Sequence, residues 1–319
     1  MKDILTIVVP CYNEQEVLPE TVKELGNILE KLINTNMVAP ESKILFVNDG
    51  SKDKTWKLIS KYTKEHNYVT GLKFSRNYGH QNALLAGMSV AVNYSDIIIT
   101  IDADLQDDVN AIPKMIERYN EGYDVVYGVR NSRKTDTFFK RRTALAFYSL
   151  MKKLGVNLVP DSADYRLLSK RATEGLLAFK ERNLFLRGMV PLVGYSSTKV
   201  YYARKERFAG KSKYPLTKML HFALDGITSF SIAPIHVILY LGLLTIIVSI
   251  ICMIYTLVEK LMGHVVSGWA SLMISIWFLG GIQLISISII GEYIGKIFSE
   301  VKHRPRFTIE EDTYTSKMK

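Results

Sequence analysis

Short apolar runs and segments of helical period take turns along residues 1–130. "ILTIVVP" at 4–10 is a β-branched run. After it, Val17, Thr21, Val22, Leu25, Ile28, Leu29 and Leu32 recur three and four apart. "KILFV" at 43–47 reads as a second strand, followed by a helix over 55–66. "VTGLKF" at 69–74 is a third, with a helix over 80–92. "DIIITIDA" at 96–103 is a fourth, with a helix over 109–120, and "DVVYGV" at 124–129 is a fifth. Strands that alternate with helices predict crossover units and a mostly parallel α/β sheet covered on both faces. Beyond it, 138–154 and 170–179 read as helices and 191–202 as a return to strand. Past Arg304 the chain turns polar and reads as a poorly ordered tail.

The pattern then changes. Over 215–230, Leu216, Met219, Leu220, Ala223, Leu224, Ile227 and Phe230 share one helical face, and Thr217, Lys218, His221, Asp225 and Ser229 fall off it. That suits a helix lying in a membrane interface, and it also suits a core-facing helix. Residues 232–258 contain no Asp, Glu, Lys or Arg, and neither do 261–291. Each run exceeds the roughly 20 residues a helix needs to cross a bilayer. The alternative is a pair of buried core helices. The expected organisation is a cytosolic domain over 1–214, an interfacial helix over 215–231, two transmembrane helices over 232–295 and a tail over 296–319.

Charge adds an orientation. The 319-residue chain has a formal net charge of +10. Arg204, Lys205, Arg207, Lys211, Lys213 and Lys218 precede the first apolar run, and Lys296, Lys302, Arg304 and Arg306 follow the second. The connector between them offers only Lys260. The positive-inside bias then places both termini in the cytoplasm and the connector outside. No secretory signal is read at the start, and the 2 cysteines, Cys11 and Cys252, make no disulfide framework, which fits a reducing compartment.

In open parallel sheets, ligands bind at the carboxyl ends of the strands. Four polar clusters fall there: "PCYNE", "NDGS", "DADLQ" and "VRNSR". Asp102, Asp104, Asp107 and Asp108 crowd the end of the fourth strand. Carboxylates two apart repel, and a cation relieves them. Hard oxygen donors such as Asp102, Asp104 and Gln106 suit Mg²⁺ or Mn²⁺ shared with a diphosphate. Asp107 and Asp108 are assigned to the start of the next helix, where negative charge is favourable. A helix-capping loop for the whole cluster is the alternative. Asp49 in "FVNDGSKDKT" suits a base or ribose, or merely a turn. "AGKSK" at 209–213 fails the P-loop template, because Lys205 stands where the first glycine belongs.

"IVVPCYNEQEVL", "FVNDGSKDKT", "SRNYGHQNALLAGM", "IDADLQDD", "DVVYGVR" and "RFAGKSKY" together resemble the family 2 glycosyltransferases with a GT-A, Rossmann-like fold. Two apolar runs after that domain make the chain similar to polyprenyl-phosphate glycosyltransferases, namely bactoprenol glucosyltransferases and dolichol-phosphate mannosyltransferase relatives. The resemblance implies a base site of Pro10, Tyr12, Asn13 and Glu14 with Asp49 beside it. It implies that Asp102, Ala103, Asp104 and Gln106 meet ribose, metal and diphosphate, and that Arg130 meets the phosphates or the sugar. It implies that Arg207 and Lys213 gather donor diphosphate and acceptor phosphate, and that Asp164 lies near the sugar. Here "ADY" at 163–165 replaces the Gly-Asp-Phe of many relatives. The implied reaction moves one hexose, glucose from UDP first, to undecaprenyl monophosphate with inversion. N-acetylhexosamine, mannose and aminoarabinose are the alternatives. A lipid-sugar flippase and a downstream transferase are candidate partners and nucleic acid is not; oligomeric state is left open, with the small residues Gly280 and Gly281 suited to helix contacts with a second copy. A processive synthase would carry Gln-x-x-Arg-Trp, which none of Trp56, Trp269 and Trp277 completes. A membrane-anchored nucleotide-sugar sensor would bind the donor without turnover.

Overall fold

The strands form because their residues are apolar on both faces. In the computed structural model, which describes residues 2–131, 159–182, 184–203, 233–263 and 268–319, β1 (Leu5–Cys11) and β2 (Lys43–Asn48) are buried at every position. Such two-sided burial belongs to parallel strands under helices. The remaining elements of the front half are α1 (Leu18–Asn34), α2 (Thr55–Glu65), β3 (Val69–Phe74), α3 (His80–Ala91), β4 (Ile97–Thr100), α4 (Ile112–Asn120) and β5 (Val125–Arg130). All of them match the sequence pattern within a few residues. After them come β6 (Ser162–Ser169), α5 (Lys170–Leu177), α6 (Leu186–Met189) and β7 (Ser197–Tyr202). The helix expected over 138–154 and the interfacial helix expected over 215–231 lie outside the described residues.

Among the described residues one sheet holds eight strands in the order β7-β5-β6-β4-β1-β2-β3-β8, where β8 is Ile309–Asp312. β1 pairs in parallel with both β2 and β4, so the loops after these three strands emerge side by side. β6, which the sequence pattern did not reveal, inserts antiparallel between β4 and β5. It carries Asp164 into the middle of the sheet, where Thr100 Oγ1 donates to the Asp164 carbonyl at 2.6 Å.

The tail departs from expectation. Its polar residues form β8, antiparallel to the edge strand β3, and a last helical turn, α9 (Tyr314–Met318). Lys73 reaches Glu310 and Glu311, each at 3.0 Å, and the Phe307 ring stacks on Phe74. The Tyr314 side chain is fully buried, its hydroxyl within 2.8 Å of Thr6 Oγ1 and 3.0 Å of Ser95 Oγ. Lys317 Nζ donates to the carbonyls of Thr63, His66 and Val69, which turns a cation on the open end of α2. Polar composition therefore did not mean disorder; an edge strand needs backbone pairing more than apolar side chains. Tyr314→Phe keeps the ring and deletes the shared hydroxyl. It is expected to cost about 0.5–1.5 kcal/mol in a denaturant titration.

A second unit carries α7 (Ala233–Leu261) and α8 (Trp269–Val301), while Arg304–Lys319 belongs with the sheet. Two spans were expected. Among the described residues one stretch, Phe278–Val301, is long and apolar enough to cross a membrane, and a shorter apolar stretch covers Pro234–Val248. The qualifying stretch also runs six residues past the expected end at 295, because the helix continues through Lys296 and Glu300. Large apolar side chains along both helices are exposed, among them Leu239, Ile247, Leu284 and Ile294.

Candidate active site

The loops after β1 and β2 are stitched together by their own polar side chains. Asn13 N–H donates to Ser51 Oγ at 3.0 Å, and Lys52 N–H donates to Asn13 Oδ1 at 2.9 Å. Glu14 N–H donates to Thr55 Oγ1 at 2.9 Å, and Lys54 N–H donates to Gln15 Oε1 at 3.1 Å. Asn13 takes a left-handed φ of 53° to make this turn, which Asn tolerates better than most residues. Pro10 is buried beside Val47 at the end of β1, and Tyr12 is exposed just beyond it.

Asp49 is buried, and both its carboxylate oxygens accept backbone donors, from Tyr78 at 2.6 Å and Gly79 at 2.9 Å. Burial pushes its carboxyl above the usual range despite these bonds. The residue thus builds the start of α3. Gly50 permits this close approach: a Cβ there would fall 2.3 Å from the Arg76 carbonyl carbon.

His80, the first residue of α3, then meets the acids. Its Nε2 lies 3.4 Å from Asp102 Oδ1 and 3.7 Å from Asp164 Oδ2. Burial alone would lower the imidazole; Asp102 and Asp164 outweigh it and lift it to about 9, so it is a cation at neutral pH. Asp102 is pushed up to about 6, by burial first and then by Asp107, Asp164 and Asp104, against the pull of His80. Its Oδ1 is buried with no hydrogen-bond partner among the described residues. Asp104 Oδ1 accepts from Gln106 N–H at 3.1 Å, and Leu105 between them has a φ of 54°. Ala103 is buried, and its carbonyl accepts from Thr21 Oγ1 of α1 at 2.7 Å.

Asp164 has three cations around it. Arg166 pairs with its Oδ1, Arg187 Nη2 lies 3.2 Å from its Oδ2, and His80 faces the same oxygen. Burial works to raise this carboxyl, but Arg187, His80 and Arg166 together hold it well below the carboxylate range. Asp108 caps the turn before α4, accepting from Asn110 N–H at 3.3 Å, as expected. Asp107 does not join it. Its Oδ1 accepts from Tyr202 and from Arg130 Nη2 at 3.1 Å, because both side chains reach over from the ends of β7 and β5.

The family described as Glycosyl transferase family 2 matches residues 6–177, from β1 through α5. The chain belongs to glycosyl transferase family 2. A second match, to the family described as GtrB C-terminal hairpin, covers 233–297 of this glycosyltransferase. An uncharacterized glycosyltransferase, YkoT of Bacillus subtilis (strain 168), is 56% identical over 99% of this chain and 94% of its own. The bactoprenol glucosyl transferase of Shigella phage SfV is 40% identical over 97% of this chain and 98% of its own. Among solved structures, glucosyl-3-phosphoglycerate synthase of Mycobacterium tuberculosis, in complex with Mn²⁺, UDP-glucose and phosphoglyceric acid, is 16% identical. It covers 71% of this chain and 78% of that one, at a TM-score of 0.47.

Among the described residues of the glycosyltransferase, no group of three or more His, Cys, Asp or Glu is placed to hold a metal ion. A site of two carboxylates is nonetheless the habit of Mg²⁺, which completes its shell with water and substrate phosphate. Asp102 Oδ1 makes no hydrogen bond among the described residues, and beyond His80 Nε2 at 3.4 Å it faces three further carboxylates that raise its pKa, a donor set that fits a divalent cation. Asp49 follows the end of β2, Asp102 and Asp104 follow the end of β4, and Asp164 of β6 meets Asp102 through His80, while Arg130 ends β5. Arg207 and Lys213 lie outside the described residues. Sequence reasoning passed over His80, Arg166, Arg187 and Tyr202. His80 stands at the helix start after a parallel strand, where the same strand-end rule would have found it. Arg187 sits in a short helix between irregular segments and carried no such signal.

Proposed function

We propose that this glycosyltransferase moves one glucose from UDP-glucose to undecaprenyl monophosphate at the cytoplasmic face of a membrane, inverting the anomeric carbon. The observation that carries this reading is the 40% identity to a bactoprenol glucosyl transferase over 97% of the chain, which takes in the hairpin as well as the sheet. The exposed apolar faces of α7 and α8 support a second span beside Phe278–Val301, since lipid is the solvent that such faces suit.

In this reading Pro10, Tyr12, Asn13, Glu14 and Asp49 hold the base, and Asp102, Ala103 and Asp104 hold ribose and diphosphate. Mg²⁺ or Mn²⁺ held by Asp102 and Asp104, with Gln106 alongside, would neutralise charge on the leaving UDP. Arg130, Arg207 and Lys213 supply further positive charge to the phosphates. Inversion by a single displacement needs the acceptor oxygen opposite the leaving group. A phosphate monoester has a second pKa near 6, so the acceptor arrives largely dianionic and already nucleophilic. The chain therefore has little proton to remove. Asp164, held ionised by Arg187, His80 and Arg166, is a poor base and suits orienting the sugar.

The test is to incubate membranes containing the protein with undecaprenyl phosphate and a panel of labelled nucleotide sugars, then identify the lipid by mass. Glucosyl-phosphoryl-undecaprenol from UDP-glucose is expected. A different hexose in the product would change the donor and keep the reaction; donor binding without UDP release would leave a sensor. Raising salt is expected to raise the KM for the lipid more than that for the donor, because basic residues draw the lipid phosphate from the leaflet.

A further inference from the structure

Asp107 is buried, yet its pairing is incomplete. Its Oδ1 accepts from Tyr202 Oη at 2.5 Å and from Arg130 Nη2 at 3.1 Å. Its Oδ2 is buried and has no hydrogen-bond partner among the described residues. A carboxylate held this way is a costly means of stabilising a fold, since a neutral acceptor would serve the same two donors.

What it joins gives it a use. Arg130 and Tyr202 are register partners, the last residues of the parallel strands β5 and β7. One carboxylate oxygen clips both strand ends to the loop 102–108. Tyr165 Oη donates to the Asp108 carbonyl at 3.1 Å, and its ring lies edge-on to that of Tyr202 at 5.3 Å. At the other end of the loop, Thr21 holds the Ala103 carbonyl. Between the two clips sits Leu105 with its φ of 54°, a conformation that an ordinary L-residue keeps only when its surroundings over-determine it. The strained stretch is the one that presents Asp102 and Asp104.

We propose that Asp107 is a positioning residue: with Tyr202 and Arg130 it fixes the path of the loop 102–108 and so the placing of Asp102 and Asp104 toward a divalent cation and the donor diphosphate. The inference rests on the reading of those two carboxylates given above. It acts through them, and Asp107 itself touches neither metal nor sugar.

The experiment is UDP binding to the full-length, detergent-solubilised protein by calorimetry, in MnCl₂ and in EDTA, with no acceptor lipid present. Tyr202→Phe removes only a hydroxyl and keeps the ring against Tyr165, so it tests the clip even where Asp107→Asn folds poorly. Each variant is expected to lose about 10-fold in Mn²⁺-dependent UDP affinity, the scale of losing a partner that orients a metal ligand. Affinity in EDTA should stay unchanged, and the double variant should be no weaker than either single one. Equal losses with and without Mn²⁺ would mark a merely structural residue and overturn the proposal, as would additive losses in the double variant. Variants that keep the full Mn²⁺ response overturn the clip alone. A wild type whose UDP affinity ignores Mn²⁺ overturns the reading of Asp102 and Asp104, and this inference with it.

Discussion

Asp164→Asn is expected to lower the stability of the sheet domain by about 3–5 kcal/mol, the cost of breaking a buried ion pair from one side. The side chain of Arg166 is only 4% exposed and that of Asp164 11%. Neutralising Asp164 strands a guanidinium in the middle of an antiparallel strand, with Arg187 losing a counter-charge and His80 left to Asp102. A thermal melt in detergent measures the loss. Asp164→Asn combined with Arg166→Met should recover a good part of it, because the stranded charge goes too. If the double variant melts no higher than the single one, the pairing is not what Asp164 supplies. Per folded molecule, the Asn variant is expected to keep substantial transferase activity, since the acceptor needs no strong base.

The same cluster fixes a pH dependence. The folded carboxyl lies well below its unfolded value, near 3.9 for Asp. Its contribution to stability is therefore fully present above about pH 4 and is lost as pH falls through the folded value. Between pH 5 and 8 its charge does not change, so the rate profile should show no limb from Asp164. A limb near pH 6 that disappears in Asp164→Asn would make it a base after all.

How much of this was legible in the sequence follows from what each element is made of. β1 to β5 and their helices announce themselves through unbroken apolar runs and helical spacing. The acids at the end of β4 follow from the strand-end rule. β6 is hidden because Asp164 and Arg166 sit in its interior, and a charged pair two residues apart looks like loop until each is seen to bury the other. β8 is hidden because an edge strand of "IEED" pairs through its backbone while its side chains meet Lys73 and Trp56 at the surface. Asp107 was misplaced for a related reason. Its neighbour Asp108 does cap the turn, but Tyr202 and Arg130, which claim Asp107, stand 95 and 23 residues away in sequence. Spacing along a chain reports local partners, and the partners that decide this site are distant ones.

The other large effect concerns Asp102 and Asp104. Replacing both by alanine is expected to reduce sugar transfer at least about 10³-fold, since it removes the carboxylates proposed to hold the cation that stabilises the leaving diphosphate. The stability readout moves differently from that of Asp164. Asp102 has a carboxyl raised to about 6 in the folded state, so its ionised form is disfavoured there and its charge opposes folding at pH 7. Its side chain is about one-third exposed, at 33%, and water screens part of that penalty. Asp102→Ala should then melt no lower than the wild type while losing activity, the signature of a residue kept for chemistry at the expense of stability. Excess chelator should reproduce the activity loss without changing the melt of the Ala variant. Full glycolipid synthesis by the double variant, or in chelator, would remove the cation from the mechanism and leave the crowding of carboxylates at the end of β4 to be explained by folding alone.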